Sequence, residues 1–235
     1  PDSRSNHQVV VTDTSDSIPR DVTRDVQLIP SQEGVVAIDS FGYLTPLKDG
    51  EVTLTANLPG TIPEQAATLH VKVSGQGETP TINFTNEVVP VFTKFDCNSG
   101  GCHGKSGGQN NFRLSLFGYE PWNDHDWLVR ESRGRRLSPA APENSLLVLK
   151  ATGEIPHEGG IRMERGSPEY TTITEWIRQG MIHDPEKTKS VERITVFPEE
   201  LVAKPNAHQQ LSVTVYFDDG TSKDITRSAI YEANQ

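Results

Sequence analysis

The feature that most restricts the fold of this chain is a short repeat near its two ends. The sequence DVTR at residues 21–24 is matched by DITR at residues 224–227, and an apolar run lies upstream of each copy. Residues from about 82 to 189, which lie between the copies, have a different pattern. A repeat on either side of an insert predicts two related segments and one unrelated central domain.

Both related segments have the pattern of β-strands. Residues 8–74 contain short runs of Val, Thr, Ile and Leu, broken by Gly, Pro, Asp and Asn. Within this segment Val52, Leu54 and Ala56 alternate with threonines, which is the period of a half-buried strand. Similar strands return from residue 191. Several such strands with short turns predict a β-sandwich.

The central segment follows a polar linker at residues 74–81 and is helical and loop-rich up to about residue 189. Four helices are predicted. The clearest has Ser167 as its N-cap, Pro168 in its first turn and Gly180 after its last turn. Another is predicted within NDHDWLVRESR, with Asn123 or Asp124 as its cap.

Charge and hydropathy exclude two classes of function. The 235 residues include 32 acidic and 22 basic ones, so the net charge of −10 argues against nucleic acid as the main partner. No run approaches 18 apolar residues, so the sequence predicts no membrane span.

The two cysteines are the strongest indication of chemistry, because a histidine follows the second one directly in CNSGGCH, residues 97–103. A Cys97–Cys102 disulfide would close a very short loop and would leave His103 without a role. A zinc site needs about four ligands, so it would require a distant residue such as His157. Covalent haem uses C-x-x-C-H, and the four-residue spacer here is small and flexible enough to loop out. The residues alone leave all three possibilities open.

A family resemblance favours haem. The blocks VFTKFDCNSGGCHGKSGGQNNFRLSLFGYEPWNDHDWL, GRRLSPAAPENSLLVLKATGEIPHEGGIRM and SPEYTTITEWIRQG resemble the cytochrome c-type domain of large planctomycete surface or periplasmic proteins. That domain carries C-x4-C-H and is flanked by group-2 bacterial immunoglobulin-like domains. The flanks of this chain, VVAIDSFGYLTPLKDGEVTLTA and ERITVFPEELVAKPNAHQQLSVTVYFDDGTSKDIT, resemble the later and earlier halves of such domains.

The resemblance implies a multidomain architecture: a mainly α cytochrome c-like haem domain between all-β immunoglobulin-like sandwich segments. The implied boundaries are 1–75 for a sandwich that lacks its first strand, 76–189 for the haem domain, and 190–235 for the first strands of a second, truncated sandwich. An alternative is that the C-terminal strands complete the N-terminal sandwich, within one chain or by strand exchange between two chains.

The resemblance also implies the site residues. Cys97 and Cys102 would hold one haem c, and His103 would be the proximal iron ligand. In small cytochromes the distal ligand lies on the loop before the last helix, which excludes His183 and disfavours His125. That loop carries His157 within PHEGG, and this residue is the expected distal ligand.

Two further groups of residues enter the predicted site. Met163, on the same loop as His157, is the alternative distal ligand. Arg135 and Arg136 belong to a basic cluster that could pair with the anionic haem propionates, although a solvated helix end would have the same composition.

The expected function is an electron-transfer module with one covalent haem. Two alternatives are haem-based catalysis or small-ligand sensing at an open iron, and a disulfide-clipped structural or adhesion protein without haem. The redox partner protein is not identified by the sequence. Haem c attachment, immunoglobulin-like segments and the absence of other cysteines predict a periplasmic, cell-surface or extracellular location.

Overall fold

A computed structural model describes residues 5–60, 66–183 and 188–233. Contacts between residues divide the chain into two units. The first, the β unit, contains residues 1–80 and 189–229, and the second, the cavity unit, contains residues 81–188 and 230–235. Both copies of the repeat therefore belong to one unit, although more than a hundred residues separate them.

The β unit consists of four small sheets, whose strands all pair antiparallel. Their orders are β1-β6-β5, β4-β7-β8, β2-β3 and β11-β10-β9. The strands are β1 (His7–Gln8), β2 (Thr12–Asp13), β3 (Arg20–Asp21), β4 (Gln27–Pro30), β5 (Val36–Ile38), β6 (Tyr43–Pro46), β7 (Gly50–Asn57), β8 (Ala67–Val73), β9 (Val191–Phe197), β10 (Ser212–Phe217) and β11 (Ser222–Asp224).

Strand β7 confirms the alternation read from the sequence. Val52, Leu54 and Ala56 are buried, whereas the residues between them are partly exposed. Val52 and Leu54 belong to a core cluster with valines from β5, β8 and the connecting segments. The apolar face of β7 thus forms the centre of this unit.

The two copies of the repeat have the same local structure. The Thr23 hydroxyl accepts the backbone N–H of Val11 at 2.8 Å, and the Thr226 hydroxyl accepts that of Val213 at 2.9 Å. In each copy the aspartate two residues before the threonine accepts the threonine's N–H at 2.9 Å. The sequence match therefore corresponds to a shared turn.

The aspartate of each copy also accepts a hydrogen bond from the segment upstream of the other copy. The Asp224 carboxylate accepts the backbone N–H of Gln8 at 2.7 Å, and the Asp21 carboxylate accepts that of Gln210 at 2.5 Å. Hydrogen bonds to a charged acceptor are among the stronger ones in proteins. These contacts give a physical reason why the two β segments form one unit.

The cavity unit contains four short α-helices around one apolar core. They are α1 (Val89–Lys94), α2 (Pro121–Val129), α3 (Leu146–Ala151) and α4 (Pro168–Arg178), and a π-helical turn (Phe84–Val88) precedes α1. The core centres on Trp176 and Phe84, which are fully buried. Helix α4 begins as predicted, because the Ser167 hydroxyl accepts the N–H of Tyr170 at 3.1 Å.

The prediction of a mainly α cytochrome domain is wrong. Only 21% of the chain is helical, the longest helix has 11 residues, and strands and irregular segments make up most of the chain. The physical reason lies in the connecting segments, where Gly108, Asn110, Asn111 and Gly118 adopt positive φ angles between 49° and 75°. A left-handed backbone cannot continue a right-handed helix, so these segments form turns instead.

Among the described residues, no helix is both long and apolar enough to cross a membrane.

His125 packs inside the cavity unit as a neutral side chain. It lies edge-on to Phe84 with 5.1 Å between ring centroids, and its Nε2 is 2.7 Å from the carbonyl oxygen of Met181. Burial lowers the pKa of His125 below its usual 6.5, and the Met181 carbonyl, which favours the protonated ring, opposes this only in part.

We expect acid to destabilise the cavity unit through His125. Because its pKa is lower in the folded state, the unfolded state binds more protons below pH 6.5, and stability falls as the pH falls through that range. One such group changes the free energy of unfolding by at most about 1.4 kcal/mol per pH unit. In urea unfolding at pH 7.5, 6.5 and 5.5, the free energy of unfolding should fall more steeply with decreasing pH for the unchanged chain than for His125→Gln. Equal slopes for the two proteins would contradict this assignment.

Candidate functional site

The cavity unit encloses a cavity of about 1240 Å³. It lies between α1, α3 and the loops that follow α1 and precede α4, and Ile173 of α4 closes one side. Much of its wall is apolar, including Val91, Phe92, Leu114 and Leu147. A cavity of this size and lining suits an organic ligand with a large apolar surface.

All the site residues predicted from the sequence line this one cavity. Neither His125 nor His183 lines it. The lining residues in question are Cys97, Cys102, His103, Arg135, Arg136, His157 and Met163.

Backbone hydrogen bonds close the loop that carries the two cysteines. The N–H of Cys97 donates to the carbonyl oxygen of Phe92 at 2.8 Å, which ties the loop to the end of α1. The N–H of His103 then donates back to the carbonyl oxygen of Cys97 at 3.0 Å. The four-residue spacer is therefore looped out, and Cys97 and His103 are brought together.

Gly104 makes this closure possible. Its N–H donates to the carbonyl oxygen of Ser99 at 2.9 Å, and a Cβ atom at this position would lie 2.0 Å from the carbonyl oxygen of Asn98. Backbone atoms of the loop would have to move to make room for any side chain. The glycine after the histidine is thus required by a close backbone approach.

Both cysteines are free thiols. Burial, with a smaller contribution from Cys102, raises the pKa of Cys97 to about 12. At neutral pH Cys97 is therefore protonated, as expected of a cysteine that packs beside the core. The disulfide alternative is not realised in this structure.

His103 is held in an orientation suited to a metal ligand. Its Nδ1 is 2.9 Å from the carbonyl oxygen of Phe112, which requires the proton to be on Nδ1 and leaves the lone pair on Nε2. Burial lowers the pKa of His103, so the ring is neutral near pH 7. Histidine ligands commonly donate their second ring N–H in this way.

His157 has a similar backbone contact on the other loop. Its Nδ1 is 3.0 Å from the carbonyl oxygen of Gly160, which leaves Nε2 as the lone-pair atom. His157 is among the smaller causes of the lowered pKa of His103, and both residues line the same cavity. Met163, the alternative ligand, is only 4% exposed and belongs to the core cluster.

We expect Gly159→Ala to displace the His157 ring. A Cβ atom at residue 159 would lie 2.9 Å from Cε1 and 3.2 Å from Nε2 of His157. If the haem expected from the sequence is bound with His157 as a ligand, the variant should therefore show a larger high-spin fraction in the oxidised optical spectrum than the unchanged chain. Gly107→Ala is the control, because nothing lies within 4 Å of its Cβ position. Identical spectra for both variants would argue against a role of His157 at the iron.

Arg136 is a structural cation in the cavity wall. It is 4% exposed, and its guanidinium donates to the carbonyl oxygens of Trp127 and Asn111 at 2.6 Å and to that of Glu131 at 3.1 Å. Burial lowers the pKa of Arg136. The hydrogen bonds to these carbonyl oxygens offset part of the cost of burying its charge. Arg135, in contrast, is exposed and forms no hydrogen bond or ion pair with any described residue.

Two further cations, which were not predicted from the sequence, line the cavity. Lys150 donates to the carbonyl oxygen of Pro156 at 2.9 Å, and Arg162 donates to that of Phe95 at 3.3 Å. Glu158 is the one acidic residue among the described lining residues. The cavity is thus locally positive in a chain of net charge −10, and it favours an anionic ligand.

Possible metal donors in the cavity wall include the thiols of Cys97 and Cys102, the ring nitrogens of His103 and His157, and the Met163 sulfur. In residues 5–60, 66–183 and 188–233, no three His, Cys, Asp or Glu side chains are grouped so that they could hold a metal ion. A zinc site would need about four such ligands. A porphyrin supplies four nitrogens of its own and needs only axial ligands from the protein.

Comparison with known proteins gives no match, because no family model, no curated protein and no solved structure is significantly similar to this chain.

Proposed function

We propose that this chain is a c-type cytochrome module that binds one haem covalently and transfers electrons. The observation that carries the proposal is the convergence of both cysteines, both candidate histidines and Met163 on one large, partly apolar cavity. Three of those residues belong to the haem attachment motif, and the others come from a loop more than fifty residues away.

The residues of the cavity fit the parts of a haem. Cys97 and Cys102 would hold the vinyl groups, and His103 offers a bare Nε2 to the iron because its Nδ1 proton is held by Phe112. A bound haem supplies one-electron chemistry at its iron. The apolar wall residues exclude water from the ring, and water exclusion is one of the ways in which a protein sets the redox potential.

Arg135 is the better candidate for the propionates than Arg136. The Arg136 guanidinium already donates to three backbone carbonyls, whereas Arg135 is exposed at the cavity without a described partner. Arg162 and Lys150 add positive charge to the same cavity. A bidentate guanidinium–carboxylate pair would orient the ring as well as neutralise its charge.

The residue on the distal side of the iron decides whether the haem would transfer electrons or would bind small molecules. His157 and Met163 both line the cavity, and the polar, half-buried His157 is the proposed ligand because Met163 is packed in the core. With both axial positions filled, the iron would transfer electrons and bind no small molecule. An open position would instead support catalysis or gas sensing.

Spectra of two variants test this assignment. His157→Ala should convert the oxidised haem from low-spin to high-spin and allow added cyanide to bind quickly, whereas Met163→Leu should leave the spectrum unchanged. The opposite result would assign the distal position to Met163. A high-spin spectrum in the unchanged protein would favour the open-site function.

The proposal extends to the setting of the module. The motif blocks resemble the haem domains of planctomycete surface or periplasmic proteins, so we place the chain outside the cytoplasm, with a redox protein as its partner and no nucleic acid. The reciprocal contacts between the two repeat copies could also form between two chains, which would give a strand-exchange dimer. Size-exclusion chromatography with light scattering would distinguish a dimer from a monomer.

A further inference from the structure

A second, smaller cavity of about 410 Å³ lies in the cavity unit. Its walls come from residues 104–106 and 113–116 and from Tyr119, Glu120 and Trp127. Leu114 lines this cavity on one side and the larger one on the other, so the two are separate but adjacent. The volume falls within the range of small-molecule sites.

Two cations and one carboxylate, that of Glu120, line the smaller cavity, and the Glu120 carboxylate accepts the side-chain amide N–H of Asn123 at 3.1 Å. The Arg113 guanidinium carbon lies 4.0 Å from the ring centroid of Trp127, and its closest carboxylate contact is Glu131 at 3.6 Å, which exceeds hydrogen-bond distance. Lys105 is exposed and its ammonium forms no ion pair with any residue that the structure describes. Stacking on the indole fixes the Arg113 guanidinium and leaves donors for an anion.

An exposed aromatic ring borders the same cavity. Tyr119 is 88% exposed, and it follows a tight turn in which Phe117 has a φ of 52°. A positive φ is unfavourable for a bulky side chain and costs about 1–2 kcal/mol. Such strain is found mainly where a local shape serves a function. Here the turn leaves Leu116, Phe117 and Tyr119 exposed beside the cationic cavity.

We infer that the smaller cavity binds a planar aromatic anion, a small ring system that carries a carboxylate, sulfonate or phosphate. The ring packs against Tyr119 and Leu114, and the anionic group pairs with Lys105 and Arg113. A neutral aromatic compound would lose the charge-assisted contacts, and a non-aromatic anion would lose the ring contacts. Both parts of the ligand are therefore required for binding.

Calorimetric titration of the full chain with two ligands of equal shape tests the requirement for charge. 2-Naphthoate should bind at least about tenfold more tightly than its neutral isostere 2-naphthamide, because hydrogen bonds to charged groups are the stronger ones. Equal affinities, or no binding of 2-naphthoate at millimolar concentration, would overturn the inference.

Variants locate the bound ligand. Lys105→Gln and Arg113→Gln should each weaken 2-naphthoate binding about tenfold, and Lys105→Gln is the cleaner test because Lys105 is exposed, whereas Arg113 stacks on Trp127. Arg130→Gln is the matched control, since Arg130 is an exposed cation paired with Asp126 outside the cavity. Arg135→Gln should also leave the affinity unchanged. A loss of binding in Arg135→Gln, with none in Lys105→Gln, would place the ligand in the larger cavity and overturn the inference.

This binding does not depend on haem. A chain that attaches no haem but discriminates between the two naphthalene compounds would refute the proposed function and leave this inference intact. A chain that attaches haem but binds the two naphthalene compounds equally would refute this inference and leave the proposed function intact.

Discussion

Replacing Arg136 with methionine is expected to lower the free energy of unfolding of the cavity unit by about 3 kcal/mol or more. The methionine keeps much of the apolar stem but leaves the carbonyl oxygens of Trp127, Glu131 and Asn111 without the donors that they have now. These bonds are partly buried, and an acceptor that stays away from water without a partner costs about 1–3 kcal/mol. The stacking of the guanidinium on Phe112, at 4.7 Å from the ring centroid, is lost as well.

Arg135→Met is the matched control for this experiment. The two arginines are adjacent and carry the same charge, but Arg135 is exposed and makes none of these contacts. Its substitution should change the free energy of unfolding by no more than about 0.5 kcal/mol. Urea unfolding of both variants, followed by tryptophan fluorescence, measures the difference. Equal stabilities would mean that the buried hydrogen bonds of Arg136 contribute little.

Gly104→Ala is expected to reduce the yield of covalently attached haem by at least about tenfold. The added methyl group would lie 2.0 Å from the carbonyl oxygen of Asn98 and 2.8 Å from that of Ser99, and both neighbours are backbone atoms. The loop would have to open, which would separate Cys97 from Cys102 and from His103. Overpacking of this kind commonly costs about 1–3 kcal/mol even where only side chains must move.

Gly101→Ala provides the comparison within the same loop. Nothing lies within 4 Å of a Cβ atom at residue 101, so this substitution should leave haem attachment close to that of the unchanged chain. Haem staining after denaturing electrophoresis, normalised to the amount of protein, measures the yield of each variant. Similar yields for the two variants would show that closure of the loop at Gly104 is not needed for attachment.

Elements with strong local signals could be predicted from the sequence. Helix α4 has a serine cap, a proline in its first turn and a glycine after its end, and the structure forms it at Pro168–Arg178. The alternation in β7 was equally clear. The motif of Cys97, Cys102 and His103 also led to His157 and Met163, and all five residues line one cavity.

Features that depend on contacts distant in sequence could not be predicted in this way. Asn123 or Asp124 was expected to cap α2, but the helix begins at Pro121. The buried Asp124 carboxylate instead accepts the Ser115 hydroxyl at 2.7 Å. The Ser115 backbone N–H donates to the same carboxylate. A buried polar contact outweighed a local propensity worth about 1 kcal/mol.

The error in fold class has a similar origin. Local capping and apolar patterns predicted four helices, and the structure has four short α-helices among its described residues, but the mainly α haem domain that the resemblance implied requires far more helix than these supply. The segments between them are held by turns and by side chains such as Arg136, which a search for helical periodicity does not detect. Lys150, in the last turn of α3, and Arg162, in the loop before α4, were missed because a single cation carries no pattern.

The most direct test of the central claim is mass spectrometry of the intact protein after expression in a host that attaches haem c, together with the same measurement on Cys97→Ser/Cys102→Ser. We predict that the denatured unchanged chain is heavier than its sequence mass by one haem and that peptide mapping places the addition on Cys97 and Cys102. The double variant should carry no added mass. An unchanged chain at its bare sequence mass, from a host that attaches haem to a control cytochrome, would contradict the account.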